Sequence, residues 1–338
     1  MRITRLEIYP LHVPYIPPIQ RFRQDMYPTI IRVHTDEGVT GVGGGGHEHE
    51  LAWREILEEE FSRLVGKDPV KLDLNRVPWP FNAALYDIVG KTLGVPVSQL
   101  IGGRVRDRVP VAYWTMVAPP EDMAAEAVEA VRKGFTTMKW HASYGTTVAI
   151  VKAINDAVGD RLALRIDAPM SRSLSEAVQI ARQLSGYNIE CFEDALPGRP
   201  RSPELYRLLR AKIDIPLAWH TGDDPVEVLR AVKNDACDYF NIGEGFRAAA
   251  VAQAAGAAVW TAAPALCTGI QYVFGLQQAS VIGNATLPAD TAFLLEEDFV
   301  KEPLPPVFEG FTEVPGKPGL GVTLDEDVVE KYLVKETF

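Results

Sequence analysis

Cysteine is scarce in this chain. The three present, Cys191, Cys237 and Cys267, are an odd number at no metal-like spacing. That argues against a disulfide framework or a thiolate metal site and suits a reducing compartment. Positive charge is also in short supply, with 34 Lys and Arg against 45 Asp and Glu and a formal charge of −11. Nucleic acid and anionic membrane are therefore poor partners. No run approaches the ~18 apolar residues of a membrane span. The opening MRITRLEIYP lacks the apolar core of a signal peptide, so a cytoplasmic protein is expected. No Gly-Lys-Ser/Thr follows the glycine run Gly43–Gly46, which excludes a phosphate loop and leaves a mobile loop as the expectation.

What the chain does have is a rhythm. Four short apolar runs each end in a residue able to do chemistry: FTTMKWH (Lys139, His141), LALRID (Asp167), IECFED (Glu193, Asp194) and IPLAWH (His220). Lys139, Asp167, Glu193 and His220 follow one another at intervals of 28, 26 and 27 residues, with helix-patterned segments between. A buried strand, a covering helix and two loops need about that length. The run reads as consecutive β/α units of a parallel barrel, whose strand ends share one mouth. VPVAYWTM reads as the first barrel strand, CDYFNIG and AAVWTAA as the sixth and seventh, 268–282 as a helix, and an eighth strand falls near Asn284–Ala292. Before the barrel, TIIRVHTDEGVTGVGGGG reads as a hairpin turning at Asp36-Glu37-Gly38, and 51–65 as an amphipathic helix. The expected division is an N-terminal α+β unit over 1–107, a barrel over 108–305, and a tail over 306–338 that packs back on the first unit.

The run NAALYDIVGKTLGVPVSQLIGGRVRDRVPV resembles the barrel entry of the mandelate racemase and muconate-lactonizing branch of the enolase superfamily, and PGLGVTLDEDVVEKY resembles the end of the same proteins. The resemblance implies a capping domain on a modified TIM barrel, (β/α)7β, one bound Mg²⁺, and removal of a proton α to a carboxylate through an enediolate. It also implies a homo-oligomer, dimer or octamer, acting on a small-molecule carboxylate substrate. Physical chemistry agrees, because a carbon acid beside a carboxylate is very weak and its dianion needs a hard cation.

Asp167 and Glu193 suit the oxygen-rich shell that Mg²⁺ favours. The third ligand departs from the family: His220 stands where an aspartate is usual, and Thr221 where other members have glutamate. His220 either ligates, which shifts preference towards Mn²⁺ or another divalent ion, or only lines the cavity. Asp194, Asp223 or Asp224 could supply oxygen instead. The family's Lys-x-Lys becomes Lys139-Trp140-His141, with 139 and 141 on one strand face. Apolar walls and a nearby cation would bring Lys139 towards a working base, and His141 needs less tuning. On the opposite side Gly243 and Ala262 replace the family's second acid/base, which argues against two-base racemisation. Asp290 stands for the family's final acid. Arg21, Arg23, His47 and His49, on cap loops, are candidate contacts for an anionic ligand. The expected activity is that of an acid-sugar dehydratase. Alternatives are a racemase or cycloisomerase with unusual bases, or a barrel that binds carboxylates without turnover.

Overall fold

The computed structural model describes residues 1–16, 27–46, 59–167, 171–243, 245–261 and 268–334. The chain opens with an antiparallel sheet of β1 (Ile3–Pro10), β2 (Pro28–Thr35) and β3 (Thr40–Gly46), paired in that order. The hairpin turns where expected, with Gly38 at φ +78°, a left-handed conformation that glycine adopts without steric cost. The glycine run is not a loop. Gly43–Gly46 pair with Ile31–Pro28 of β2 as the last residues of a strand. The reason is α1 (Phe81–Leu93), whose backbone lies against that strand. A Cβ on Gly41 would stand 2.0 Å from the Ala84 carbonyl oxygen, and one on Gly43 would stand 2.3 Å from that of Pro80. Only glycine permits this approach of helix to sheet. Buried Asp87 on α1 fastens the contact, accepting from Val42 N at 3.1 Å, Leu320 N at 2.9 Å and Lys91 Nζ at 2.6 Å. Of the helix expected over 51–65, residues 59–64 are helical, and 51–58 lie outside the described residues.

The barrel begins at β4 (Arg108–Thr115). It continues through β5 (Thr137–His141), β6 (Ala163–Asp167), β7 (Ile189–Glu193), β8 (Leu217–His220), β9 (Tyr239–Asn241), β10 (Ala258–Trp260) and β11 (Ala289–Thr291). Neighbours in that order through β10 pair in parallel, and β11 pairs in parallel with β4. Asp290 N donates to Thr261 O at 3.0 Å, which brings the last strand beside β10 and closes the ring. Each of the first seven barrel strands, β4 to β10, is followed by a helix: α2 (Pro120–Arg132), α3 (Thr147–Val158), α4 (Leu174–Gln183), α5 (Pro203–Arg210), α6 (Pro225–Lys233), α7 (Arg247–Ala254) and α8 (Gly269–Val281). This is the (β/α)7β barrel. Ser173, Ser202, Asp224 and Thr268 start α4, α5, α6 and α8 by accepting from first-turn amides.

The N-terminal segment reaches the mouth. Ile16 N donates to Leu294 O at 2.9 Å, just beyond the C-terminal end of β11. After the barrel, β12 (Val307–Phe308) and β13 (Phe311–Glu313) form a hairpin that pairs antiparallel with β4. The closing helix α9 (Glu326–Tyr332) sits against the N-terminal sheet, where Leu333 bridges Leu11 and Glu326 pairs with Arg32. Among the described residues no helix is long and apolar enough to cross a membrane.

Gly41→Ala is expected to destabilise the fold by about 3 kcal/mol, because the added methyl meets backbone that cannot move aside. Urea unfolding checks this, and a change under about 0.5 kcal/mol would show the sheet–helix contact to be looser than described.

Candidate active site

Side chains alternate along a strand, so β5, β6 and β7 turn Lys139 and His141, Arg165 and Asp167, and Cys191 and Glu193 towards the barrel axis. They meet there. Lys139 Nζ lies 2.6 Å from Asp290 Oδ2, 2.6 Å from Glu193 Oε2 and 3.1 Å from Asp167 Oδ2, and the side chain is 2% exposed. Burial alone would lower the lysine pKa, but the three carboxylates raise it well above its ordinary value. The shift expected from apolar walls thus has the opposite sign here. Burial works against ionisation of Asp167 too, yet Lys139 and a hydrogen bond from His141 hold it below the usual carboxylate range. Glu193 goes the other way. Burial, reinforced by Asp167, pushes it up to about 8 despite Lys139. Its Oε1 accepts from Asn241 Nδ2 at 2.7 Å and lies 3.5 Å from His220 Nδ1.

A second ionic layer supports the first. Asp290 accepts from Arg165 at 2.8 Å and from Trp260 Nε1 at 3.2 Å, besides Lys139. Arg165 is fully buried, donates to Glu190 at 2.6 Å and stacks 3.9 Å above the Trp260 ring. Small Cys191 and Ala218 share the interior with that indole.

The mouth is different in character. A cavity of about 240 Å³ is lined by His141, Asp167, Asp194, Arg199, Arg201 and His220, among others. His141 is half-exposed, packs edge-on to Trp114, and places Nε2 3.1 Å from Asp167 Oδ2. Burial, with Lys139 behind it, lowers the pKa of His220, which favours a neutral imidazole. Asp194 accepts from Arg201 at 2.6 Å through each oxygen and from Arg199 at 2.7 Å. Arg199 is otherwise exposed. A larger hollow of about 830 Å³ lies beside the start of β4, among Arg108, Pro305, Phe308 and Phe311. It brings no base and orienting acid together, so the smaller cavity is the candidate site.

The structure therefore gathers Lys139, His141, Asp167, Glu193, His220 and Asp290, with Asp290 buried beneath the mouth. Arg21, Arg23, His47, His49 and Ala262 lie outside the described residues. Gly243 is described, at φ +60°, and offers no side chain. Four participants went unread in the sequence: Arg165, Asn241, Arg199 and Arg201. Arg165 was signalled by its place two residues before Asp167, on the same strand face. Arg199 and Arg201 flank Pro200 in the loop directly after the Glu193-Asp194 strand end.

Can this donor set hold Mg²⁺? The ion demands near-octahedral oxygen coordination. Among the described residues no group of three or more His, Cys, Asp or Glu is arranged to hold a metal. The lysine ammonium already occupies the point where Asp167, Glu193 and Asp290 converge. The mouth's other acids are committed: Asp194 to two arginines, Asp223 to Arg247, and Asp224 to capping α6. As arranged, these residues do not fit an octahedral Mg²⁺ site.

Residues 122–328 match the family model described as "Enolase C-terminal domain-like". The chain belongs to the enolase superfamily. Its relatives place it in the mandelate racemase and muconate-lactonizing branch, a group of lyases and isomerases. An N-succinyl-L-Arg/Lys racemase of Bacillus cereus is 26% identical over 99% of this chain and 98% of its own. A D-xylonate dehydratase of Haloferax volcanii is 28% identical over 91% and 86%. A muconate cycloisomerase of Acinetobacter lwoffii is 28% identical over 98% and 96%. Among solved structures, a mandelate racemase/muconate lactonizing family protein from Azoarcus sp. EbN1 superposes with a TM-score of 0.83 at 23% identity, covering 100% of this chain and 98% of its own, which shows the shared fold. Superfamily members generally use Mg²⁺, which makes the lysine-filled acid cluster the point of contrast.

Arg165→Met is expected to cost about 3–5 kcal/mol in urea unfolding, since it takes the counter-charge from Glu190 and leaves Asp290 with Lys139 alone. Arg247→Ala, on the surface, should cost no more than about 1 kcal/mol. Equal effects would contradict the buried layer. Glu193 gives a pH test. Its folded pKa is raised, so its contribution to stability is full below its unfolded value and is lost as pH rises through about 8. Glu193→Gln should flatten that fall relative to wild type in thermal melts across the same window, and parallel curves would refute the shift.

Proposed function

We propose that the mouth binds a small hydroxy acid by its carboxylate and that His141 removes the α proton, with loss of the β-hydroxyl as water. The reading is dehydration of an acid sugar or related hydroxy acid. One observation carries it: the pair formed by His141 Nε2 and Asp167 Oδ2, 3.1 Å apart at the end of β5, with the imidazole half-exposed in the cavity. An imidazole that donates Nε2–H to a carboxylate is fixed in one tautomer. Its Nδ1 is then the basic nitrogen, and the carboxylate stabilises the imidazolium formed when the proton arrives. The same imidazolium can return that proton to the departing hydroxyl, so one residue serves both halves of a syn elimination. The enol left behind tautomerises to a 2-keto acid.

Charge at the mouth supports the assignment. Arg199 spends one interaction on Asp194 and has donors left for a bidentate carboxylate contact. Arg201, buried and doubly bonded to Asp194, also donates to the His220 carbonyl and shapes that wall. Racemisation draws no such support, because a second acid/base is needed on the opposite face and Gly243 supplies none.

Wild type in D₂O with a panel of sugar acids is expected to incorporate deuterium and release the keto acid, followed by proton NMR. His141→Asn should slow this by about 10²- to 10⁴-fold. Exchange with inversion at the α-carbon would favour a racemase, and full activity in His141→Asn would remove the base from this reading.

A further inference from the structure

The acid cluster beneath the mouth has its own cation. Asp167, Glu193 and Asp290 arrive from three strands and converge on one point, and the atom found there is Lys139 Nζ, within 3.1 Å of each. The ammonium is held from below as well, because Arg165 and Trp260 fix Asp290, the acid that meets it from the last strand. Asp167 and Glu193 face Lys139, Asp290 faces both Lys139 and Arg165, and Glu190 pairs with Arg165. The third strand-end position, where a further carboxylate would complete an oxygen shell, is filled by His220 instead. The remaining acids at the mouth are engaged too, Asp194 and Asp223 by arginines and Asp224 by the first-turn amides of α6.

We propose that Lys139 is the resident cation of this centre, standing where a divalent ion would otherwise be bound and closing the site to it. The positive charge behind the substrate is then covalently attached to β5, immediately below His141 on the same strand face. It rests on the proposed function only in placing the chemistry at this mouth, and its principal readout needs no turnover.

Lysine and a divalent ion compete for the same three acids, so removing the ammonium should expose the site. Purified full-length protein, stripped with EDTA, would be titrated with Mn²⁺ and followed by electron paramagnetic resonance of the free ion. Wild type is expected to show no site that Asp167→Asn removes. Lys139→Met, which keeps the stem and loses the charge, should gain a site at least tenfold tighter than any in wild type, a difference of about 1.4 kcal/mol. Its melting temperature should also rise with Mn²⁺ while that of wild type stays fixed. A stoichiometric Mn²⁺ site in wild type that Asp167→Asn abolishes would overturn the proposal, and this holds even if Lys139→Met fails to fold. α-Deuterium exchange in EDTA separates the two readings. Exchange that survives EDTA supports the resident lysine. Exchange restored only by Mg²⁺ refutes it and leaves the dehydratase reading standing. No exchange under either condition counts against the dehydratase reading, and the wild-type Mn²⁺ titration still decides the role of Lys139.

Discussion

Everything near the mouth depends on one buried ammonium. Lys139 joins β5 to β6, β7 and β11 through three carboxylates, so one side chain connects strands distant in sequence. A charge taken from water into a protein interior costs several kcal/mol unless partners surround it, and three acids without a cation would cost more. Neither half of the cluster is tolerable alone. That mutual need specifies the geometry: the strand ends cannot drift apart without stranding a charge, so Asp167 is held where it can orient His141.

The architecture was legible because the chemistry of strands is periodic. Runs ending at His141, Asp167, Glu193 and His220 became β5 to β8 with those residues as their last positions. Tertiary contact decides two regions, the eighth strand and the glycine run. The eighth strand is three residues long and is recognisable mainly by its pairing with β4. The glycine run became strand because α1 must approach it closely, a constraint written partly at Ala84 and Pro80, some forty residues away.

The strand-end members of the candidate site were legible in the sequence, and their charge was not. Sequence spacing named which residues meet, but a pKa depends on distances that spacing does not give. Apolar neighbours of Lys139 in the chain suggested a neutral amine, whereas its neighbours in space are acids. Arg165 was overlooked for a related reason: an arginine inside an apolar strand reads as a surface residue until a partner is found for it, and its partners Asp290 and Glu190 lie 125 and 25 positions away.

The distribution of charge bears on how one fold serves racemases, dehydratases and cycloisomerases among its relatives. Such reactions can begin with the same loss of an α proton and differ in what happens to the intermediate. Inversion requires a donor on the far face, and elimination requires one near the leaving group. Here the far face at Gly243 carries no side chain, while the near face has a His–Asp pair and a partly engaged arginine. With His141 as the base, as proposed, an intermediate formed in this mouth meets its proton donor on the side where the proton was lost. Reprotonation at carbon from that side regenerates the substrate and makes nothing new. Protonation of a departing hydroxyl from the same side makes product, so on the proposed reading the asymmetry among the described residues of the mouth goes with elimination and not inversion.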